Sequence, residues 1–95
     1  MNKYELCIIF RANLEEEAYK TDFDKVLAYI ERFGGTVEKV DEWGKRRLAY
    51  EIQKVREGVY TIISFNGDSN TPIELEKRLR IMENVLRYLI TRQDA

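Results

Sequence analysis

From Lys3 to Arg11, apolar side chains fall on every second position, at Tyr4, Leu6, Ile8 and Phe10, and this period of two predicts a strand. Asn13 offers a capping side chain with Glu16 three positions on. Tyr19, Phe23, Val26, Leu27, Ile30 and Phe33 then recur at helical spacing until Gly34 and Gly35 stop the run, which places a helix over residues 15–33. Thr36 to Ile52 reads as a long second strand. Val37 and Val40 are three apart and Gly44 interrupts the middle, so a bulge or bend is expected there. The polar stretch Gln53 to Gly58 suits a hairpin loop, and Val59 to Phe65 resumes as a third strand rich in β-branched and aromatic residues.

Asn66 to Asn70 is a turn cluster, and Thr71-Pro72-Ile73-Glu74 combines a capping box with proline at the first helical position. Leu75, Leu79 and Met82 mark the buried stripe of a short second helix, which Glu83-Asn84 ends. Val85 to Arg92 sets Leu86, Tyr88 and Ile90 against Arg87, Leu89 and Thr91 as a fourth strand. Each helix has a single apolar stripe, so both must cover one face of one sheet, and right-handed crossovers leave few arrangements. The expected fold is α+β: a ferredoxin-like sandwich, β-α-β-β-α-β, with a four-stranded antiparallel sheet in the order 4-1-3-2 and two helices on one face. Its 95 residues are enough for one small core, so a single domain over 1–95 is expected.

Chemistry is constrained by what is missing. The chain has no His and one Cys, which excludes imidazole acid-base chemistry, catalytic triads built on His and the usual zinc sites. No glycine-rich phosphate cradle occurs. Glu15-Glu16-Glu17 are consecutive and suit a solvated helix start better than a cleft. No metal, cofactor or small-molecule substrate is therefore expected, and no catalytic residue. Cys7 sits between apolar neighbours and reads as a small packing residue, and a lone cysteine fits a reducing compartment. The longest unbroken apolar stretch, Leu6 to Phe10, is far short of the roughly 18 residues that span a bilayer, so no membrane role is expected. Met1 to Glu5 lacks the pattern of a secretory signal.

If Leu6, Ile8 and Phe10 face the helices, then Glu5, Cys7, Ile9 and Arg11 face away, joined by Arg87, Leu89 and Thr91 and by Tyr60, Ile62 and Ser64. This uncovered face mixes apolar and cationic groups, as a contact surface does, although scattered apolar residues on a surface are ordinary. RNA-recognition motifs stack bases on several sheet aromatics. Here Tyr60 stands alone among the open-face positions of its strand, which argues against that mode.

Net charge is −1 but uneven: residues 1–42 hold six Lys/Arg against ten Asp/Glu, and residues 43–95 hold ten against seven. Near neutrality argues against tight, indiscriminate nucleic-acid binding and permits a local basic patch. The candidates for phosphate contact are Lys45, Arg46, Arg78, Arg80, Arg87 and Arg92, with Arg47 and Lys77 beside them. The densest constellation is Asp41-Glu42-Trp43-Gly44-Lys45-Arg46-Arg47-Leu48-Ala49-Tyr50, on a strand at the sheet edge. Edge charges commonly block unwanted strand pairing, and a Trp among both charge signs is also the composition of an interface anchor. Both readings can hold together.

Gly44-Lys45-Arg46-Arg47-Leu48-Ala49-Tyr50-Glu51-Ile52 resembles the signature of the bacterial small-subunit ribosomal protein S6 family. Tyr4-Glu5, Val37-Glu38-Lys39-Val40, Arg56-Glu57-Gly58, Leu79-Arg80 and Val85-Leu86-Arg87 support it, over residues 2–92. The resemblance implies a non-enzymatic component of the ribosome that binds the central domain of small-subunit ribosomal RNA, paired with ribosomal protein S18. It places Asp41, Glu42, Trp43, Arg46, Arg47 and Leu48 in the partner contact. Two other classes stay open: a protein-only adaptor using the Trp43 edge, and an acylphosphatase-like enzyme using Arg11-Ala12-Asn13-Leu14.

Overall fold

The computed structural model describes residues 2–52 and 55–93, with side chains described for 2–48 and 57–93. Its elements are β1 (Asn2–Arg11), α1 (Glu16–Arg32), β2 (Thr36–Ile52), β3 (Val55–Gly67), α2 (Asn70–Leu79) and β4 (Val85–Arg92). The strands pair antiparallel in the order β2-β3-β1-β4, the expected 4-1-3-2 arrangement read from the other end.

Alternation on β1 sets the core. Tyr4, Leu6, Ile8 and Phe10 are buried with Ile63 and Phe65 of β3, Val26 and Ile30 of α1, and Leu75 and Leu79 of α2. Each fully buried Leu, Ile or Phe contributes about 1.5–3 kcal/mol relative to exposure. Met82 lies past the end of α2 and still packs on this core, as do Tyr88 and Ile90 of β4. β1, in the centre of the sheet, is also buried on its far side at Ile9.

The ends of the helices differ from expectation. Asn13 does not cap α1: the N-cap is Glu15, with extended backbone and no side-chain capping bond. Glu16 and Glu17 place negative charge in the first turn, which the helix dipole favours. At the other end Gly34 takes φ +86, and the Gly35 N–H donates to the Ile30 carbonyl at 2.8 Å.

The Thr71 capping box does not form either. Asp68 Oδ1 accepts the backbone N–H of Asn70 at 2.8 Å and of Thr71 at 3.2 Å, and α2 begins at Asn70. Thr71 is fully buried and donates its hydroxyl to the Phe33 carbonyl, at 2.9 Å, so its side chain ties the start of α2 to the end of α1. Pro72 is therefore the third helical residue and not the first, still in the turn whose N–H groups lack helical acceptors.

β3 is longer than its apolar pattern. Arg46 pairs with Gly58, Arg47 with Glu57 and Ile52 with Val55, so most of the expected loop is ladder, and residues 53 and 54 lie outside the described residues. Backbone pairing along a hairpin does not require apolar side chains, which is why the polar composition misleads there. The expected irregularity in β2 is present: the register shifts between Glu42 and Gly44, and Gly44 takes φ +81.

Candidate functional site

β2 is the outer strand next to β3, and its bulge decides which side chains share a face. Asp41 pairs with Ile62, Gly44 with Tyr60 and Arg46 with Gly58, all positions on the face away from the helices. Glu42 pairs with Thr61, Lys45 with Val59 and Arg47 with Glu57, on the helix side. The extra residue at the bulge is Trp43. Its Nε1–H donates to Asp41 Oδ2 at 3.1 Å, and the Arg46 guanidinium carbon lies 6.0 Å from its ring centroid. Trp43, Arg46 and Tyr60 together line an open cleft of about 400 Å³, and Trp43 remains 49% exposed.

Of the six rim residues expected from sequence, Asp41, Trp43 and Arg46 therefore lie on the open face, and Glu42 and Arg47 on the helix side. Leu48 differs from the rest, being only 9% exposed. Gly58 lacks a side chain, and Leu48 Cδ2 and Ile9 Cγ2 close over the space it leaves. Leu48 supports the rim from below and does not offer itself to a partner. The side chains of Ala49, Tyr50, Glu51 and Ile52, which complete the nine-residue signature, lie outside the described residues.

Tyr19 of α1 reaches the helix side of this rim. Its hydroxyl donates to Glu42 Oε1 at 3.2 Å and lies 3.1 Å from the hydroxyl of buried Thr61. Burial pushes the Tyr19 phenol above its ordinary pKa, opposed by the Thr61 hydrogen bond and reinforced by the Glu42 carboxylate.

The phosphate candidates are spread over the molecule. Arg46 and Arg87 lie on the open face, at opposite edges of the sheet; Arg87 lines a second cleft, of about 430 Å³, with Cys7, Ile9, Tyr88 and Leu89. Lys45 is exposed on the helix side of β2. Arg78 lies against α1, its guanidinium carbon 5.9 Å from the Tyr29 ring centroid and 6.0 Å from that of Phe33. Arg80 is ion-paired to Glu76 at 3.4 Å, and its neighbours Tyr88 and Glu76 raise its pKa. Arg92 donates to Asn2 Oδ1 at 3.0 Å. Lys77 pairs with Glu74 at 3.3 Å, an exposed contact of the kind that adds little stability.

Two further points bear on chemistry. Arg11 Nε donates to the Glu83 carbonyl at 3.2 Å and its backbone N–H to the Asn84 carbonyl, so it fastens the α2–β4 loop. Burial, then the Glu5 carboxylate, raises the Cys7 pKa, which makes the thiol a poor nucleophile at neutral pH. The cleft between Trp43 and Tyr60 was not foreseen from the sequence, because a bulge at Gly44 does not say by itself which face receives the extra residue.

The family model for ribosomal protein S6 matches residues 3–92. The small ribosomal subunit protein bS6 of Clostridium kluyveri is 48% identical over 94 residues, covering 99% of each chain. That of Clostridium botulinum strain Hall is 47% identical, over 99% of this chain and 100% of its own. The crystal structure of 30S ribosomal protein S6 from Thermotoga maritima superposes with a TM-score of 0.92 at 34% identity, over 97% of this chain and 87% of that one. With the same fold and a match running nearly end to end, the chain belongs to the ribosomal protein S6 family, and is a non-enzymatic, cytoplasmic protein of the small ribosomal subunit.

Proposed function

We propose that this chain, acting as one domain, binds the central domain of small-subunit ribosomal RNA together with ribosomal protein S18 during assembly. The observation that carries the reading is the mixed-sign, aromatic rim on an outer strand: Asp41, Glu42, Trp43, Arg46 and Arg47 are all exposed there. A partner lying along β2 would cover both charge signs and the indole, which is the anatomy of a selective interface. The cations assigned to phosphate, Lys45, Arg46, Arg78, Arg80, Arg87 and Arg92, are dispersed, and this supports cooperative binding. No single face of this chain gathers enough of them to hold RNA tightly at physiological salt. Paired with a second protein, the same groups become part of a larger cationic surface.

Filter binding of central-domain RNA, with and without purified S18, tests this. Affinity should rise sharply when S18 is present, and equal affinity in both arms would refute the cooperative reading. The dispersal of the cations also suits a protein-only adaptor. That alternative requires binding to S18 with no specific retention of RNA in either arm.

A further inference from the structure

We propose that Tyr19 is the positioning residue of the rim: its hydroxyl fixes Glu42 and, through it, the bulge that turns Trp43 onto the open face. The proposal rests on the partner reading of the rim given above and names the group that sets the rim's geometry.

The Tyr19 ring is held independently of the rim. It meets Phe10 edge to face, with centroids 5.3 Å apart, and stacks on Phe23 at 6.0 Å. The position of its hydroxyl is therefore set by core packing. A carboxylate accepts only and a phenol has one proton, so the proton on Tyr19 goes to Glu42. Thr61, fully buried, must then donate to the Tyr19 oxygen.

Thr61 is also the residue opposite Glu42 in the β2–β3 register. The chain Thr61–Tyr19–Glu42 thus holds residue 42 on the helix side at the last paired position before the register shifts. Pairing resumes at Gly44, opposite Tyr60, with the left-handed backbone that glycine tolerates. Trp43 is caught between a side chain pinned from below and a glycine that turns the strand. Its ring is then in place for Asp41 to accept its N–H and for Arg46 to lie over it. Released from Tyr19, the exposed Glu42 carboxylate could reach other cations, and the position of the bulge would be less strongly specified.

Trp43 is the only tryptophan of the chain, so its fluorescence reports this geometry directly. Tyr19→Phe keeps the ring and removes the hydroxyl. With far-UV circular dichroism unchanged, it should shift Trp43 emission, lower Trp43 anisotropy and weaken S18 binding about tenfold, equivalent to about 1.4 kcal/mol. Glu42→Gln keeps an accepting oxygen and should retain the wild-type emission, whereas Glu42→Ala should reproduce the Tyr19→Phe spectrum. In the Glu42→Ala background Tyr19→Phe should have no further effect on Trp43. An unchanged Trp43 signal in Tyr19→Phe, or an equal effect in both backgrounds, would overturn the proposal. If the wild-type protein failed to bind S18, the partner reading would fall, while the Trp43 spectra would still decide the role of Tyr19.

Discussion

A Cβ on Gly58 would overlap Ile9 Cγ2 and lie 3.3 Å from the Phe10 carbonyl oxygen, so this position is defined by close approach. Gly58→Ala must displace the Ile9 side chain, and should lower stability by about 1–3 kcal/mol in urea unfolding. Nothing in the local sequence separates this glycine from one in a loop, and the polar residues before it suggested a loop. Tyr19 carries a different kind of prediction. Its folded-state pKa is raised, so the stability it lends is present below the ordinary phenol pKa and is lost as pH rises through the folded value. The advantage of wild type over Tyr19→Phe in unfolding free energy should therefore shrink as the buffer is made strongly alkaline. Cys7, raised by burial and by Glu5, should react slowly with a disulfide reagent at neutral pH and quickly once the protein is unfolded. The chain did announce that behaviour, since its apolar neighbours already marked the thiol as packing.

At the scale of elements, periodicity located β1, β4 and both helices closely, because each turns one apolar face to the core, whereas β2 is exposed along most of its length and was placed by composition and by the glycines that bound and interrupt it. Helix starts were less legible, since several side chains near each could serve and only tertiary packing selects among them. Asp68, and not Thr71, caps α2, because the Thr71 hydroxyl is drawn to the Phe33 carbonyl. Asp68→Ala should cost about 0.5–2 kcal/mol, measured by thermal or urea unfolding. Thr71→Val fills nearly the same space but leaves that carbonyl without the hydroxyl, and should cost about 1–3 kcal/mol. The two effects should be less than additive in the double variant, because the Thr71 hydroxyl also lies 3.5 Å from Asp68 Oδ1 and either substitution removes that contact.

For the molecule as a whole, the sequence nominated candidate groups for RNA or partner contact but not how they are shared among faces. Charge order along β2 is readable in one dimension. Its division into Asp41, Trp43 and Arg46 on one side and Glu42, Lys45 and Arg47 on the other depends on a one-residue bulge. That division separates the roles proposed for two arginines. Arg46 lies against Trp43 on the rim, whereas Arg87 lies on β4 at the far edge of the same face, away from any partner confined to β2. If both contact phosphate in the assembled complex, each alanine variant should reduce the salt slope of RNA binding by about 0.7–0.9. Only Arg46→Ala should also weaken the binding of S18 measured without RNA. Titrations of central-domain RNA at several salt concentrations, beside S18 binding in one buffer, separate these effects. An Arg87→Ala variant with an unchanged salt slope would remove that residue from the RNA surface. One that lost S18 affinity as much as Arg46→Ala would mean that the partner spans the whole sheet and not its rim.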